Sequence, residues 1–226
     1  MERKYYEAYD DRYRQIHGLN LQWFYDDPTP IVMETIKELG ISHNHTILEL
    51  GCGEGRDAWP LLKNGYCLLA TDISTAAIRY AQKKWPEFSE KFAVLDCVAG
   101  ETPEKFDFIY AVAVVHMLVE DGDRDRFYTF IRDHLNPGGI ALICTMGDGK
   151  TQRQTDIRAA FDLQNRTHEQ TGKEVQIAST SCRMVSFETL HAELQRNGLE
   201  MIKEGITAAP PDFPMLMYVV VKGENA

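Results

Sequence analysis

The sequence predicts an α/β fold, with helices on both faces of a mostly parallel sheet. Short apolar runs alternate with amphipathic stretches along most of the chain, which is typical of such a sheet. A glycine-rich loop at 51–55 joins the first apolar run to a helix. Only the proline-rich segment 208–214 separates the last two apolar runs, which indicates an antiparallel hairpin at the sheet edge.

Residues suited to helix ends separate the predicted elements. Thr29 and Pro30 start one helix that Gly40 ends, and Ser74 and Ser186 can cap two others. The predicted helices are 30–39, 56–64, 74–85, 123–135 and 186–197. The predicted strands are 45–50, 67–72, 91–96, 106–111, 139–144, 199–206 and 215–222.

Two segments depart from this alternation. Residues 147–182 are polar and interrupt it before the final hairpin, with one helix predicted around 156–170, so we interpret them as a substrate-side insert. Residues 1–28 are rich in aromatic side chains, and Tyr5, Tyr9 and Tyr13 recur every four residues, as on one helical face. We predict an N-terminal helical cap over 1–28, serving as a lid or packed on the flank of the sheet, and a main domain over 29–226.

Composition narrows the class of protein. The chain has 226 residues, a formal net charge of −10 and five cysteines. The cysteines are scattered without a C-x-x-C pair, which favours free thiols in a reducing compartment and no metal site. There is no apolar signal segment or membrane-length apolar run, and the acidic balance disfavours broad nucleic-acid binding. We expect a cytoplasmic monomer or homodimer with no membrane or nucleic-acid partner.

The stretch ILELGCGEGRD, residues 47–57, indicates a ligand site. Glycines that follow a strand and precede a helix bring backbone N–H groups against a polar ligand. The spacing is G-x-G-x-G, and Arg56 stands where a dinucleotide site needs its third glycine. The GKT at 149–151 is no Walker loop, because Cys144 replaces the first glycine.

An acid lies at the end of each of the first three predicted strands. These acids are Glu49, Asp72 and Asp96. Asp72 follows the glycines by about 20 residues, the position that binds ribose in nucleotide folds generally. A ligand with an ammonium group, a ribose and an adenine needs three such acceptors.

The order and spacing of these motifs resemble the class I S-adenosylmethionine-dependent methyltransferases. The resemblance rests on five segments: ELGCGEG (49–55), LLATDIS (68–74), AVLDC (93–97), FDFIYAVAVVHML (106–118) and LNPGGIALI (135–143). Within that family the chain is similar to small bacterial enzymes, including tellurite-resistance-type and thiopurine-type proteins. The resemblance implies a Rossmann-like fold, a seven-stranded sheet and S-adenosylmethionine as cofactor, with S-adenosylhomocysteine as product.

The resemblance also implies roles for individual residues. Glu49, Gly51 and Gly53 would hold the methionine moiety, and Asp72 the ribose hydroxyls. The other implied cofactor contacts are Cys52, Ile73, Asp96, Cys97, Ala111 and Val112. We add Arg56 as a partner of the ligand carboxylate, with a surface ion pair as the alternative, and Trp23 from the cap. An aromatic face suits a cationic sulfonium.

Fewer residues in the sequence indicate how the methyl acceptor is bound than indicate how the cofactor is bound. His116, after the fourth strand, is the candidate general base, with local packing as the alternative. The candidate acceptor contacts are Tyr9, Tyr13 and Asp148, with a solvated loop acid as the alternative for Asp148. Enzymes that methylate the exocyclic amines of nucleobases resemble one another in a [DNS]-P-P-[YFW] motif at this position. The sequence here is AVAV (111–114), which disfavours that substrate class.

We therefore expect methyl transfer to a small-molecule acceptor by direct in-line displacement. One alternative is an NAD(P)-dependent oxidoreductase on a similar fold. The other is a non-catalytic cofactor-binding protein that contacts a partner through the insert.

Overall fold

A computed structural model describes residues 3–223 and confirms the predicted α/β class. One sheet has seven strands: β1 Thr46–Leu50, β2 Cys67–Asp72, β3 Phe92–Val94, β4 Phe106–Val112, β5 Leu135–Met146, β10 Leu199–Ala209 and β11 Phe213–Gly223. Across the sheet they lie in the order β10-β11-β5-β4-β1-β2-β3. The α-helices are α1 Ala8–Gly18, α2 Pro30–Glu38, α3 Ala58–Lys63, α4 Thr75–Lys84, α5 Asp121–His134 and α6 Phe187–Arg196.

The topology places the ends of β1 and β4 side by side. β1 pairs in parallel with both β2 and β4, so the strand order reverses between β1 and β4. Ligands of open α/β sheets bind in the crevice at such a switch point. β11 runs antiparallel to both β5 and β10, as the final two apolar runs predicted.

Apolar residues on both faces of the sheet hold this order. One layer includes Phe127 and Ile131 of α5, and the other includes Ile36 of α2 and Leu61 of α3. Two predicted caps form: the Ser74 hydroxyl accepts from an N–H of α4, and the Ser186 hydroxyl from one of α6.

The prediction of a helix around 156–170 is wrong. Its helical part is a single 3₁₀ turn at 157–159. A β-hairpin follows, made of β7 Leu163–Thr167 and β8 Glu174–Ala178. Two shorter strands, β6 Arg153–Gln154 and β9 Arg183–Met184, pair across the base of the insert. The hairpin forms because it has a partner to pack on: Val175 and Ile177 of β8 are buried against Ile16 of α1.

The N-terminal segment and the insert therefore form one cap over the sheet. The Arg12 guanidinium donates to the carbonyl oxygens of Ala178 and Ser179, at 2.9 and 2.7 Å. The amide oxygen of Gln15 accepts from the N–H of Ala178. Asp10 anchors α1 to the body, because its carboxylate accepts from the Ser74 hydroxyl at the start of α4. We call residues 3–28 together with 147–182 the cap.

A buried ion pair joins α5 to α6. Arg124 donates to Glu193 through two nitrogens, at 2.8 and 2.6 Å, and both side chains are almost completely buried. Tyr128 donates to the same carboxylate at 2.8 Å. Arg124 also donates to the carbonyl oxygens of Val115 and Leu118, so the pair fixes the turn after β4.

Across residues 3–223, no helix has both the length and the apolar character that crossing a membrane requires.

Candidate functional site

A cavity opens at the carboxyl ends of the central strands, where the switch point predicts a ligand. It holds about 990 Å³ of empty space, part of it open to solvent. The loop after β1, the ends of β2 and β4, the loop after β3 and the cap surround it. We call it the glycine-loop cavity. Its lining includes these predicted cofactor residues: Glu49, Gly51, Cys52, Gly53, Arg56, Asp72, Ile73, Asp96, Cys97 and Val112.

The glycines of this loop are required by close approach as well as by backbone conformation. Gly51 has φ +72°, and a Cβ there would lie 2.3 Å from Cγ2 of Val114. Gly53 has φ +53°, and a Cβ there would lie 2.6 Å from the Tyr13 hydroxyl. Only glycine combines left-handed backbone with such contacts at little cost, so the loop keeps the cavity open between these neighbours.

Glu49 places an unpaired carboxyl group in the cavity wall. The residue is 2% exposed, and its Oε2 atom has no hydrogen-bond partner among the described residues. Burial, and next the carboxylate of Asp57, raise the pKa of Glu49 well above its ordinary value. An unpaired buried carboxyl group beside a cavity suits a cationic ligand group.

Asp72 is held by the glycine loop itself. Its two carboxylate oxygens accept from the N–H of Gly53 at 2.8 Å and of Ser74 at 2.7 Å. Burial raises the pKa of Asp72 to about 6, and these two N–H groups partly offset that rise. Each oxygen keeps a further lone pair, so the group can still accept ligand hydroxyls.

Asp96 presents one oxygen to the loop after β3 and the other to the cap. Oδ1 accepts from the N–H of Val98 and Ala99, and Oδ2 lies 3.4 Å from the hydroxyl of Tyr6. The predicted strand 91–96 ends earlier, at Val94, so Asp96 and Cys97 lie in this loop and line the cavity.

Two predicted cofactor contacts, Ala111 and Arg56, differ from the rest in their surroundings. Ala111 is not among the cavity-lining residues and is fully buried within β4, whereas the lining of that strand begins at Val112. Arg56 lines the cavity, but its guanidinium donates to Asp212 Oδ2 and to the Thr29 hydroxyl, each at 3.2 Å. These bonds hold the cavity wall together, while the buried Nε of Arg56 has no hydrogen-bond partner among the described residues.

Glu54 was missed by the sequence analysis. It is 3% exposed, and its carboxylate accepts from the N–H of Trp23 at 2.8 Å and of Phe24 at 2.9 Å. The His17 ring lies 2.8 Å from the same carboxylate. One side chain of the glycine loop thus holds the N-terminal segment over the cavity.

A second cavity lies between the N-terminal segment and the insert, and we call it the cap-side cavity. It shares Tyr9, Phe24, Met117 and Phe213 with the glycine-loop cavity, so these four side chains form the neck between the two. Trp23 lines this cavity and not the first, contrary to its prediction as a cofactor contact. Tyr13 lines only the first.

His116 lines the cap-side cavity next to the neck. It is 3% exposed, and its Nδ1 has no hydrogen-bond partner among residues 3–223. Burial, with Arg124 and Arg12 adding to it, lowers the pKa of His116 to about 3. The imidazole is therefore neutral at physiological pH.

Asp148 stays outside both cavities. Its carboxylate accepts from the N–H of Lys150 at 2.9 Å and of Thr151 at 2.7 Å, closing a turn after β5. These bonds lower the pKa of Asp148 to about 2. The structure therefore does not bring this predicted acceptor contact to the site.

Comparison with known proteins agrees with this geometry. Residues 48–141 match the family described as Methyltransferase domain. A ubiquinone biosynthesis O-methyltransferase of Rickettsia akari (strain Hartford) is 29% identical over 128 residues, 54% of this chain and 50% of that protein. The probable S-adenosyl-L-methionine-dependent methyltransferase TehB of Haemophilus influenzae (strain 10810) is 30% identical over 102 residues, 43% of this chain and 34% of that protein. The chain thus spans between a third and a half of these curated relatives.

Solved structures share the fold over most of the chain. The glycopeptide N-methyltransferase MtfA, in complex with S-adenosylmethionine, has a TM-score of 0.63 and 21% identity, covering 88% of this chain and 96% of that one. At this identity the likeness shows the fold.

Proposed function

We propose that this chain is a methyltransferase of the class I fold and that it transfers a methyl group from S-adenosylmethionine to a small-molecule acceptor. The main support for this proposal is the buried carboxyl group of Glu49, whose Oε2 has no hydrogen-bond partner among the described residues. Asp72 and Asp96 line the same cavity. Three acids in this arrangement suit the ammonium, ribose and adenine of that cofactor.

The residues present fit this ligand. Glu49 would hold the ammonium group, Asp72 the ribose hydroxyls, and Asp96 with the N–H of Cys97 the adenine edge. When bound, S-adenosylmethionine supplies an activated methyl group whose sulfonium leaves as a neutral thioether. The rings of Tyr9 and Tyr13 line the same cavity, and aromatic faces suit such a cation.

The acceptor would enter through the cap-side cavity and present its nucleophile at the neck. Alignment of donor and acceptor by the neck would supply much of the rate, since such positioning is worth roughly 7–11 kcal/mol. His116 lies beside the neck and would orient the acceptor by a hydrogen bond. As a base, an imidazole with a pKa of about 3 has little driving force at neutral pH.

The oxidoreductase alternative is disfavoured by the sheet. A classic dinucleotide-binding sheet has the strand order 3-2-1-4-5-6. Here the strand beyond β5 is β11, the last of the chain, and it runs antiparallel to β5.

Replacing Asp72 with alanine tests the cofactor assignment. We expect the affinity for S-adenosylhomocysteine, measured by calorimetry, to fall at least about tenfold, because charge-assisted hydrogen bonds to the ribose are lost. Asp156→Ala, which removes an exposed carboxylate of the insert, should leave affinity unchanged. Equal affinity of the Asp72→Ala variant and the wild type would contradict the ribose assignment.

Binding of the cofactor should also release a proton from Glu49. Burial raises the pKa of this carboxyl group and so favours its protonated form, whereas an ammonium partner favours its ionised form. Calorimetry in buffers of different ionisation enthalpy, repeated over a series of pH values, should therefore detect net proton release when S-adenosylhomocysteine binds. Glu49→Gln should abolish that release; a wild-type protein that releases none would exclude the ammonium contact.

A further inference from the structure

The cap-side cavity has an uneven distribution of charge. Three arginines contribute to its lining: Arg12 of α1, Arg153 of β6 and Arg166 of β7. The two acids in its lining are Glu169 and Asp212. Asp212 already pairs with Arg56 at 3.2 Å, so the arginines outnumber the acids available to them.

Arg12 is a buried cation without an acidic partner. It is 7% exposed, yet it forms no ion pair within residues 3–223. Its Nε and Nη2 atoms donate to the carbonyl oxygens of Ala178 and Ser179 and to the Thr180 hydroxyl. The Nη1 atom makes no hydrogen bond to the described residues. The rings of Tyr9 and Trp23 also lie with their centroids 5.1 Å from the guanidinium carbon. Buried charges in proteins are normally paired, whereas Arg12 has only neutral partners and keeps one donor, Nη1, that no described residue uses.

Arg166 lies near Arg12 on the same cavity wall. Burial is the main cause that lowers the pKa of Arg12, and the positive charge of Arg166 lowers it further. Arg166 is exposed and forms no ion pair with the described residues, while Glu169 lies toward Asp212 and raises the pKa of that acid. Two like charges on one wall repel each other unless an anion lies between them.

We propose that the methyl acceptor is an oxyanion whose anionic group binds Arg12 and Arg166 in the cap-side cavity. This inference rests on the proposed methyl transfer. A guanidinium donates its N–H groups to carboxylate and phosphate oxygens; Arg12 would use Nη1, since its Nε and Nη2 already donate to the insert. The cofactor's own carboxylate does not explain the arginines, because neither lines the glycine-loop cavity. The nucleophile of the acceptor would reach the neck beside Tyr9, while the anionic group stays at the arginines.

The test compares acids with their neutral amides. We would titrate benzoate against benzamide, and indole-3-acetate against indole-3-acetamide, into the full chain with and without S-adenosylhomocysteine. At least one acid should bind about tenfold more tightly than its amide, the effect of a charge-assisted contact. Arg166→Ala should remove the preference. Arg79→Ala, which removes an exposed arginine of α4 outside both cavities, should retain it.

Arg12→Lys adds a second variant, since lysine keeps the charge but lacks the guanidinium N–H groups. It should weaken the preference for the acid while S-adenosylhomocysteine still binds. If no acid binds better than its amide, or if Arg79→Ala weakens binding as much as Arg166→Ala, the oxyanion proposal is overturned. Loss of the proposed function would be seen separately, as absence of S-adenosylhomocysteine binding to the wild type, because the acids are also titrated without it.

Discussion

Glu193→Ala should lower the free energy of unfolding by about 3–5 kcal/mol, the usual result of removing one partner of a buried ion pair. The substitution leaves the guanidinium of Arg124 buried without a carboxylate, and it removes the acceptor of the Tyr128 hydroxyl. Arg124 would keep only its hydrogen bonds to main-chain carbonyl oxygens, such as that of Val115, and to the Tyr128 hydroxyl. An uncompensated buried charge explains the size of the effect.

Chemical denaturation of Glu193→Ala and of a control variant, Glu38→Ala, would measure this loss of free energy of unfolding. Glu38→Ala breaks an exposed pair with Lys203, and exposed pairs are worth roughly 0–1 kcal/mol. The loss in Glu193→Ala should therefore be several times that in Glu38→Ala. Similar losses would mean that α5 and α6 are held together by their apolar contacts alone.

Glu54→Ala should release the N-terminal segment from the glycine loop. The carboxylate accepts the N–H groups of Trp23 and Phe24 in a buried setting, and leaving such donors unpaired costs about 1–3 kcal/mol each. The cap would then open more often, because its anchor to the loop is gone. We expect faster proteolysis within the first ~28 residues and about a tenfold or larger loss of affinity for S-adenosylhomocysteine.

Limited proteolysis with and without S-adenosylhomocysteine would test this lid. In the wild type the ligand should protect the first ~25 residues, because Tyr6, Tyr9 and Tyr13 line the cavity in which we propose that it binds. Glu54→Gln keeps an acceptor oxygen, so its cleavage rate should lie between those of the wild type and Glu54→Ala. Equal cleavage with and without ligand, together with unchanged affinity after removal of the segment, would show that the segment only packs.

The central sheet was predictable because its signals are local. Each strand is an apolar run, and residues such as Ser74 and Gly40 act on their immediate neighbours. The positions of Glu49 and Asp72 were predictable for the same reason, because the ends of β1 and β2 were; Asp96 lies in the loop after β3, which ends at Val94. The hairpin at β7 and β8 was not, because most of β7 is exposed and only α1, far away in the sequence, buries β8.

The contacts of Glu54 and of the Arg124–Glu193 pair could not be predicted from neighbouring residues either. The donors to Glu54 lie 30 and 31 residues away, and sequence spacing does not show that a side chain accepts main-chain N–H groups there. A signal did exist for Arg124: it stands three and seven residues before Phe127 and Ile131, on the buried face of α5. Charged residues on an apolar face are candidates for a buried pair.

The packing of α1 on the insert has a consequence during protein synthesis. The bond between Arg12 and Ala178 joins residues 166 positions apart. At about 5–20 residues per second, α1 leaves the ribosome roughly 8–30 s before its partner strand is made. In that interval Ile16 lacks its apolar cover. We therefore expect the cap to assemble on the nascent chain only after β1 to β5 have been made, and the ligand cavities to acquire their roof only then.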